Sequence, residues 1–308
     1  MNRTTGIRAA LGSALFLGLS PVFGRQAILL GFSPLAVVAL RTSLATLLIL
    51  ALIMFTRRTA LFIYPAGLLG CLLAGVINGA GSLLFYSSLA RINASLGQLL
   101  NSMYPLFVAF WLTLDRQAPG RLTLVRLLLS LPALYLLTQS PSGAPDLTGM
   151  VMMLGAAVLY ALHLPINQRV LYDMPPQTVT FYTLLAMSLV VVPAFLIFDT
   201  PSELAAQTGG GWTAVLGLTV VTFFSRMALF TGVKHIGGMQ TALLGLTELL
   251  VTIFVAYFWL GEHLVGLQWI GAFLLVFVIS LVAIEKNQSP PRLGRGFLDW
   301  LGSVSSKT

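Results

Sequence analysis

Apolar runs of about twenty residues, each closed by a short polar or basic break, follow one another along almost the whole chain. They predict ten helices. The first five span Ile7–Leu30, Pro34–Phe55, Tyr64–Leu89, Ala94–Leu114 and Leu122–Gln139. The second five span Leu147–Leu171, Gln177–Phe198, Trp212–Val233, Met239–Leu260 and Leu267–Ile284. Each run is long enough to cross a bilayer core of about 30 Å, which takes roughly 20 residues of helix. Their apolar character is continuous rather than alternating, which excludes the strands of a membrane barrel. The opening stretch, with Arg3 and Arg8 ahead of an apolar run from Ala9 to Leu19, imitates a secretory signal. A matching stretch in the second half argues that it is instead a retained first helix.

The two halves overlay at a constant offset of 144 residues. Pro21 falls on Pro165, Arg25 on Arg169, and Leu99-Leu100 on Leu243-Leu244. An odd number of spans per repeat inverts the second copy relative to the first. The expected fold class is therefore an all-α integral membrane protein of ten transmembrane helices in two inverted five-helix repeats. Their bounds are 6–139 and 147–285, with a cytoplasmic tail at 286–308. Inverted repeats characterise alternating-access carriers, whose substrate site lies near the midplane where the repeats meet. In the tail, Phe297, Trp300, Leu301 and Val304 fit one face of a short interfacial helix, and a disordered tail fits equally.

Composition sharpens this picture. Charged residues make up 8% of the chain, apolar residues 57%, and the mean hydropathy is +0.92. Such a chain cannot cover a soluble domain with polar surface. The net charge of +8 does not form a nucleic-acid patch, because the basic residues sit at the ends of apolar runs. With both termini cytoplasmic, the inner loops hold Arg57, Arg58, Arg116, Arg121, Arg126, Arg169 and Lys234, whereas the outer loops keep Arg91. That asymmetry sets the orientation, and a bacterial inner membrane is the expected location. The single cysteine, Cys71, lies within an apolar run and reads as a small core residue.

Enzyme chemistry finds no support. His163, His235 and His263 lack metal-site spacing, and neither an HExxH nor a Gly-x-Ser-x-Gly segment occurs. No Walker lysine loop is present, so ATP is not the direct energy source. The chain is read as a non-enzyme without cofactor or metal. Its partners are a small-molecule substrate and the lipid bilayer; monomer and homodimer are not distinguished.

Polar residues inside the runs carry the candidate chemistry. A charge at the bilayer centre costs about 2.5–3.5 kcal/mol, so such charges should face the protein interior and be paired. Arg226 and Glu248 flank a hairpin turn near Ile236, which puts both roughly 15–18 Å deep at 1.5 Å per residue. Equal depth permits an ion pair. That pair is either a structural bridge or a site offering a cation and an anion to a zwitterion or organic acid. Helical spacing adds further polar stripes: Asn78, Ser82 and Tyr86; Gln98, Asn101 and Tyr104; Tyr160, His163 and Asn167; Thr219, Thr222 and Arg226. The substrate-binding candidates are Arg226, Glu248, Asn78, Ser82, Asn101, Tyr104, Tyr160, His163 and Thr222. The competing role for any of these is interhelical hydrogen bonding, worth about 0.6 kcal/mol each. Arg41, about 10 Å into the second run, reads as a structural arginine that snorkels outward or bonds backbone carbonyls.

Thr247-Glu248, Phe258-Trp259-Leu260-Gly261-Glu262 and Gln268-Trp269-Ile270-Gly271-Ala272 resemble the EamA-type family of the drug/metabolite transporter superfamily. Gly31-Phe32-Ser33-Pro34 leading to Leu40-Arg41 is similar to that family's second helix. Met103-Tyr104-Pro105 keeps the family proline in the first repeat; Leu249 replaces it in the second, which predicts a less kinked helix there. Arg226 stands where the family more often has tyrosine. The resemblance implies a ten-helix carrier with a cavity lined mainly by helices 1, 3, 4, 6, 8 and 9. The expected activity is export of small metabolites, amino acids or related organic anions, by alternating access. A channel, or a lipid- or drug-translocating protein of the same fold, is the alternative.

Overall fold

The computed structural model describes residues 2–116, 120–137, 146–199 and 209–261, with isolated positions beyond. Every regular element among them is helical. The first half contains α1 (Arg3–Leu29), α2 (Pro34–Thr56), α3 (Pro65–Leu89), α4 (Ala94–Asn101), α5 (Tyr104–Leu114) and α6 (Arg121–Leu137). The second contains α7 (Leu147–Leu171), α8 (Pro176–Phe198), α9 (Gly209–Ile236), α10 (Gly238–Gly245) and α11 (Thr247–Leu260). By length and composition, α1, α2, α3, α7, α8, α9 and the stretch Gly238–Leu260 are able to cross a membrane, seven candidate spans among the described residues. The tenth expected span, Leu267–Ile284, and the tail lie largely outside the described residues.

Local chemistry explains the ends. Ser33 caps α2, accepting from the Ala36 amide at 3.0 Å, with Pro34 in the first turn where a missing N–H is harmless. Asn93 caps α4 through the Leu96 amide at 2.8 Å. Asn2 caps α1 and Asp146 caps α7, two positions 144 residues apart. Ala94–Asn101 and Gly238–Gly245 also stand 144 residues apart at both ends, so the offset read from sequence reappears in the helix boundaries.

Two expected spans are not continuous. The fourth breaks at Ser102-Met103 into α4 and α5, and the ninth breaks at Leu246 into α10 and α11. Pro105 explains the first break, because it supplies no N–H to the preceding turn. The second is shorter, the single residue Leu246 against two in the first, and it arises without a proline. Tyr104 provides a reason. Its hydroxyl donates to the Ala242 carbonyl at 3.1 Å, and a Cβ at Gly245 would run into that same hydroxyl. The tyrosine occupies the groove beside the second break and takes up a carbonyl near it. The two interrupted helices therefore meet, α4 against α11 and α5 against α10.

Packing is crossed between the halves. The most extensive contact of α1 is with α9, and that of α3 is with α7. Small residues permit the approach: a Cβ at Gly232 of α9 would sit 3.2 Å from the Ala10 side chain of α1. The side chains of Leu124, Val125, Leu128 and Tyr135 on α6 are exposed, as on a helix facing lipid.

Among the described residues, one charge pair is deeply buried. Arg169 Nη2 lies 2.8 Å from Asp115 Oδ2, with the two side chains 3% and 1% exposed. Asp115 Oδ1 also accepts from the Leu298 amide at 3.0 Å. Arg169 is thus an interior residue of α7 and not the loop cation expected from sequence.

Candidate functional site

A cavity of about 60 Å³ opens where the broken helices meet the crossed pairs. It is far smaller than the ~300–1,000 Å³ of drug-sized pockets, and its size suits a small polar molecule. Its walls come from both halves: Leu17 and Ser20 of α1, Arg41 of α2, Asn78, Gly81, Ser82, Phe85 and Tyr86 of α3, and Gln98 and Asn101 of α4. The second half adds Ala156 and Tyr160 of α7, Arg226 of α9 and Glu248 of α11.

The helical stripes account for this convergence. Asn78, Ser82 and Tyr86 follow one another at single-turn spacing on α3, so one face presents all three. Glu248 stands in the first turn of α11, beside the interruption. The break turns the chain there and leaves the carboxylate at a helix N-terminus, a favourable place for negative charge. Gln98 Nε2 donates to Glu248 Oε2 at 3.3 Å.

Arg226 and Glu248 share the cavity without touching: no salt bridge within 4.0 Å joins them. This corrects the direct pair that equal depth suggested. Arg226 instead has neutral partners. Its Nη1 lies 3.3 Å from His163 Nε2. With the Asn78 amide oxygen turned toward the guanidinium, Asn78 accepts from Nη1 and Nη2 at 3.1 and 3.0 Å. Because arginine only donates, His163 Nε2 must be an acceptor, and its proton sits on Nδ1, which faces the Tyr160 carbonyl. The Tyr160 ring lies under the guanidinium at 5.7 Å.

Arg41 is the second correction. It neither snorkels nor bonds carbonyls. Nη1 donates to Thr222 Oγ1 and Nη2 to Ser82 Oγ, both at 3.2 Å, and the Tyr86 ring lies 4.7 Å away. The side chain is buried. Both arginines keep an Nε–H with no hydrogen-bond partner, and the hydroxyls of Ser20, Tyr86 and Tyr160 also lack one.

Of the expected residues, Arg226, Glu248, Asn78, Ser82, Asn101 and Tyr160 line the cavity directly. Thr222 and His163 stand behind it, holding the two arginines; Tyr104 reaches the second break next to Glu248. Arg41, Gln98 and Ser20 were not among the candidates, although a lone charge in an otherwise apolar run was the available signal for Arg41. Other polar residues, the stripe residue Asn167 among them, join helices. Thr183 donates to Asn167 at 3.1 Å, Ser13 to the Ser225 carbonyl at 3.0 Å, and Thr252 to the Gly18 carbonyl at 2.6 Å. Among the described residues, no group of three or more His, Cys, Asp or Glu is placed to hold a metal ion.

A solved structure titled "Crystal structure of protein" matches this one with a TM-score of 0.71, covering 92% of this chain and 98% of that one. At 15% identity, the likeness is one of fold alone. No curated protein matches the chain. The EamA-like transporter family matches twice, over residues 4–139 and 147–284. Nearly the whole chain is covered, its helices fit a bilayer, and its polar interior surrounds a small cavity: the chain belongs to the EamA-like transporter family and is a multi-pass membrane transporter of the drug/metabolite type.

Proposed function

We propose that this protein is a carrier exporting small carboxylate-bearing metabolites, amino acids or related organic anions, from the cytoplasm by alternating access. In this reading the two repeats, 6–139 and 147–285, are inverted five-helix units. The ten spans lie in a bacterial inner membrane with both termini cytoplasmic. The observation that carries the proposal is the cavity itself, where Arg41 and Arg226 present guanidinium groups held only by neutral partners and Glu248 presents a carboxyl group. A buried cation without a counter-ion is unfavourable, and an incoming carboxylate supplies one. The helix interruptions support a moving site, since discontinuous helices are where transporters commonly bind and release substrate.

The test is counterflow in proteoliposomes preloaded with amino acids, organic acids or lipophilic cations. Saturable exchange of carboxylates with trans-stimulation is expected. A preference for lipophilic cations defeats the proposal, and flux without trans-stimulation indicates a channel instead. Arg226→Gln and Glu248→Gln should each insert and fold while losing at least tenfold in transport. The double variant should stay inactive, because the two groups do not neutralise each other directly. A double variant transporting at the normal rate would remove both residues from the site.

A further inference from the structure

We infer, on the alternating-access reading of the two repeats, that Leu298 is a latch across their interface, and that it must withdraw before the Arg169 end of the transporter opens.

Leu298 lies beyond both family-matched repeats, which end at residues 139 and 284. It is nonetheless 1% exposed. Its side chain packs with Ala74 of α3 and Ile166 of α7, flanked by Ile77 and Leu162. Its amide donates to Asp115 Oδ1, while the other oxygen of that carboxylate holds the Arg169 guanidinium. Ala74 and Asp115 belong to the first repeat, Ile166 and Arg169 to the second. One leucine therefore touches both halves, at the point where a buried ion pair already joins them. A hydrogen bond from an N–H to a carboxylate is among the stronger ones, and withdrawing the leucine strips Ala74 and Ile166 of a shared apolar neighbour.

The antiparallel course of α3 and α7 places this contact relative to the cavity. Gly81 of α3 lies against Leu159 of α7, and Ser88 donates to the Gly149 carbonyl at 2.7 Å, so rising numbers on one helix match falling numbers on the other. Asn78 and Tyr160 line the cavity. Ala74 stands four residues before Asn78 and Ile166 six after Tyr160, about 6 and 9 Å along the helices at 1.5 Å per residue. Both steps lead to the Arg169 end, which the proposed orientation puts in the cytoplasm. The other end of the same seam is tied differently. There Arg91 meets Asp146 at 3.0 Å, with side chains 48% and 35% exposed, and an ion pair in water holds weakly. The seam is thus fastened unequally, more firmly on the side of Leu298. A carrier that alternates must part its halves at each end in turn. Leu298 bridges both halves without belonging to either, so it has to release one of them before that end parts.

The experiment uses the full chain with its single cysteine, Cys71, changed to Ala. Ala74→Cys and Leu298→Cys are added to tether the latch, and counterflow is measured in proteoliposomes with L-alanine, L-glutamate and succinate as the probes. Oxidation should join the two cysteines and lower exchange at least tenfold. Reduction should restore it, which makes the reduced protein its own folded control. Either cysteine alone should be indifferent to oxidation. Separately, Leu298→Asp puts a charge into the apolar seam beside Asp115 without altering a cavity residue, and exchange per folded molecule should rise at least twofold. Undiminished exchange in the disulfide-bonded protein overturns the latch and leaves the carrier standing, as does failure of the two cysteines to join. Exchange by Leu298→Asp at or below the parent rate overturns the latch as well, even where the double-cysteine chain does not fold. No exchange by the parent chain overturns the carrier reading and the latch together.

Discussion

The two repeats share a backbone plan and divide the chemistry between them. At the offset of 144 residues, Arg226 corresponds to Ser82, Glu248 to Tyr104, Gln98 to Ala242 and Asn101 to Gly245. Even their contacts correspond: Gln98 reaches Glu248, and at the matched pair Tyr104 reaches the Ala242 carbonyl. In one contact the acceptor is a side-chain carboxyl group and in the other a backbone carbonyl. The lesson is that the repeat supplies two interrupted helices meeting at a cavity, whereas polarity across that cavity comes from where the copies differ. A perfectly symmetric cavity would present the same groups on both sides and could not orient a molecule with unlike ends.

The largest test of this comparison lies at the helix ends. Arg169 has a buried carboxylate partner in Asp115; its counterpart Arg25 bonds the Leu89 carbonyl, and the counterpart of Asp115 is Trp259. Asp115→Asn should therefore destabilise by about 3–5 kcal/mol by leaving a buried arginine without its anion. Thermal unfolding in detergent would register that loss. The double variant Asp115→Asn with Arg169→Gln should recover part of it. An Asp115→Asn protein as stable as wild type would mean the pair is not the fastening it appears from its burial.

A middle-sized effect is expected at the second break. Gly245→Ala puts a Cβ into the Tyr104 hydroxyl, while the matched position in the first repeat already carries the Asn101 side chain. Overpacking of this kind costs about 1–3 kcal/mol. The unfolding temperature should drop, and Tyr104→Phe in the same chain should restore part of it by removing the clashing oxygen. Failure of that rescue would separate Tyr104 from the geometry of the break.

The smallest effect concerns the helix caps. Asn2 and Asp146 are matched, but only Asp146 titrates. The hydrogen bond from Arg91 and the backbone N–H of Gly149 hold its carboxyl below the ordinary range. A depressed folded value means the cap stabilises above the ordinary carboxylate pKa and is lost as pH falls through the folded value. Being exposed, it contributes little and is screened by salt. Asp146→Asn should make the two caps alike and remove this slight acid sensitivity, read as the pH dependence of unfolding below about pH 4.

Much of this was legible in the residues. The 144-residue offset appears in Pro21 and Pro165, and depth alone brought Arg226 and Glu248 into one region. Depth does not fix the direction a side chain points, however. Arg226 and Glu248 share a cavity without touching, and Arg41 turns inward although its distance from the helix end allowed it to snorkel. The Asp115–Arg169 pair was hidden because both residues sit near helix ends, where a charge ordinarily meets water. The break at Leu246 was hidden too. Its cause is a tyrosine from the other repeat, and no local proline or glycine pair announces it.

The crossed packing has a consequence in time. The principal partner of α1 is α9, and about 180 residues separate the end of one from the start of the other. At roughly 5–20 residues per second, ribosomal synthesis leaves the first helix waiting roughly 10–40 s for that partner. Through that interval the small-residue face around Ala10 and Ser13 lies against lipid or a membrane-resident chaperone. A newborn first repeat is therefore a docking half without its mate, and final assembly cannot begin until most of the second has been made.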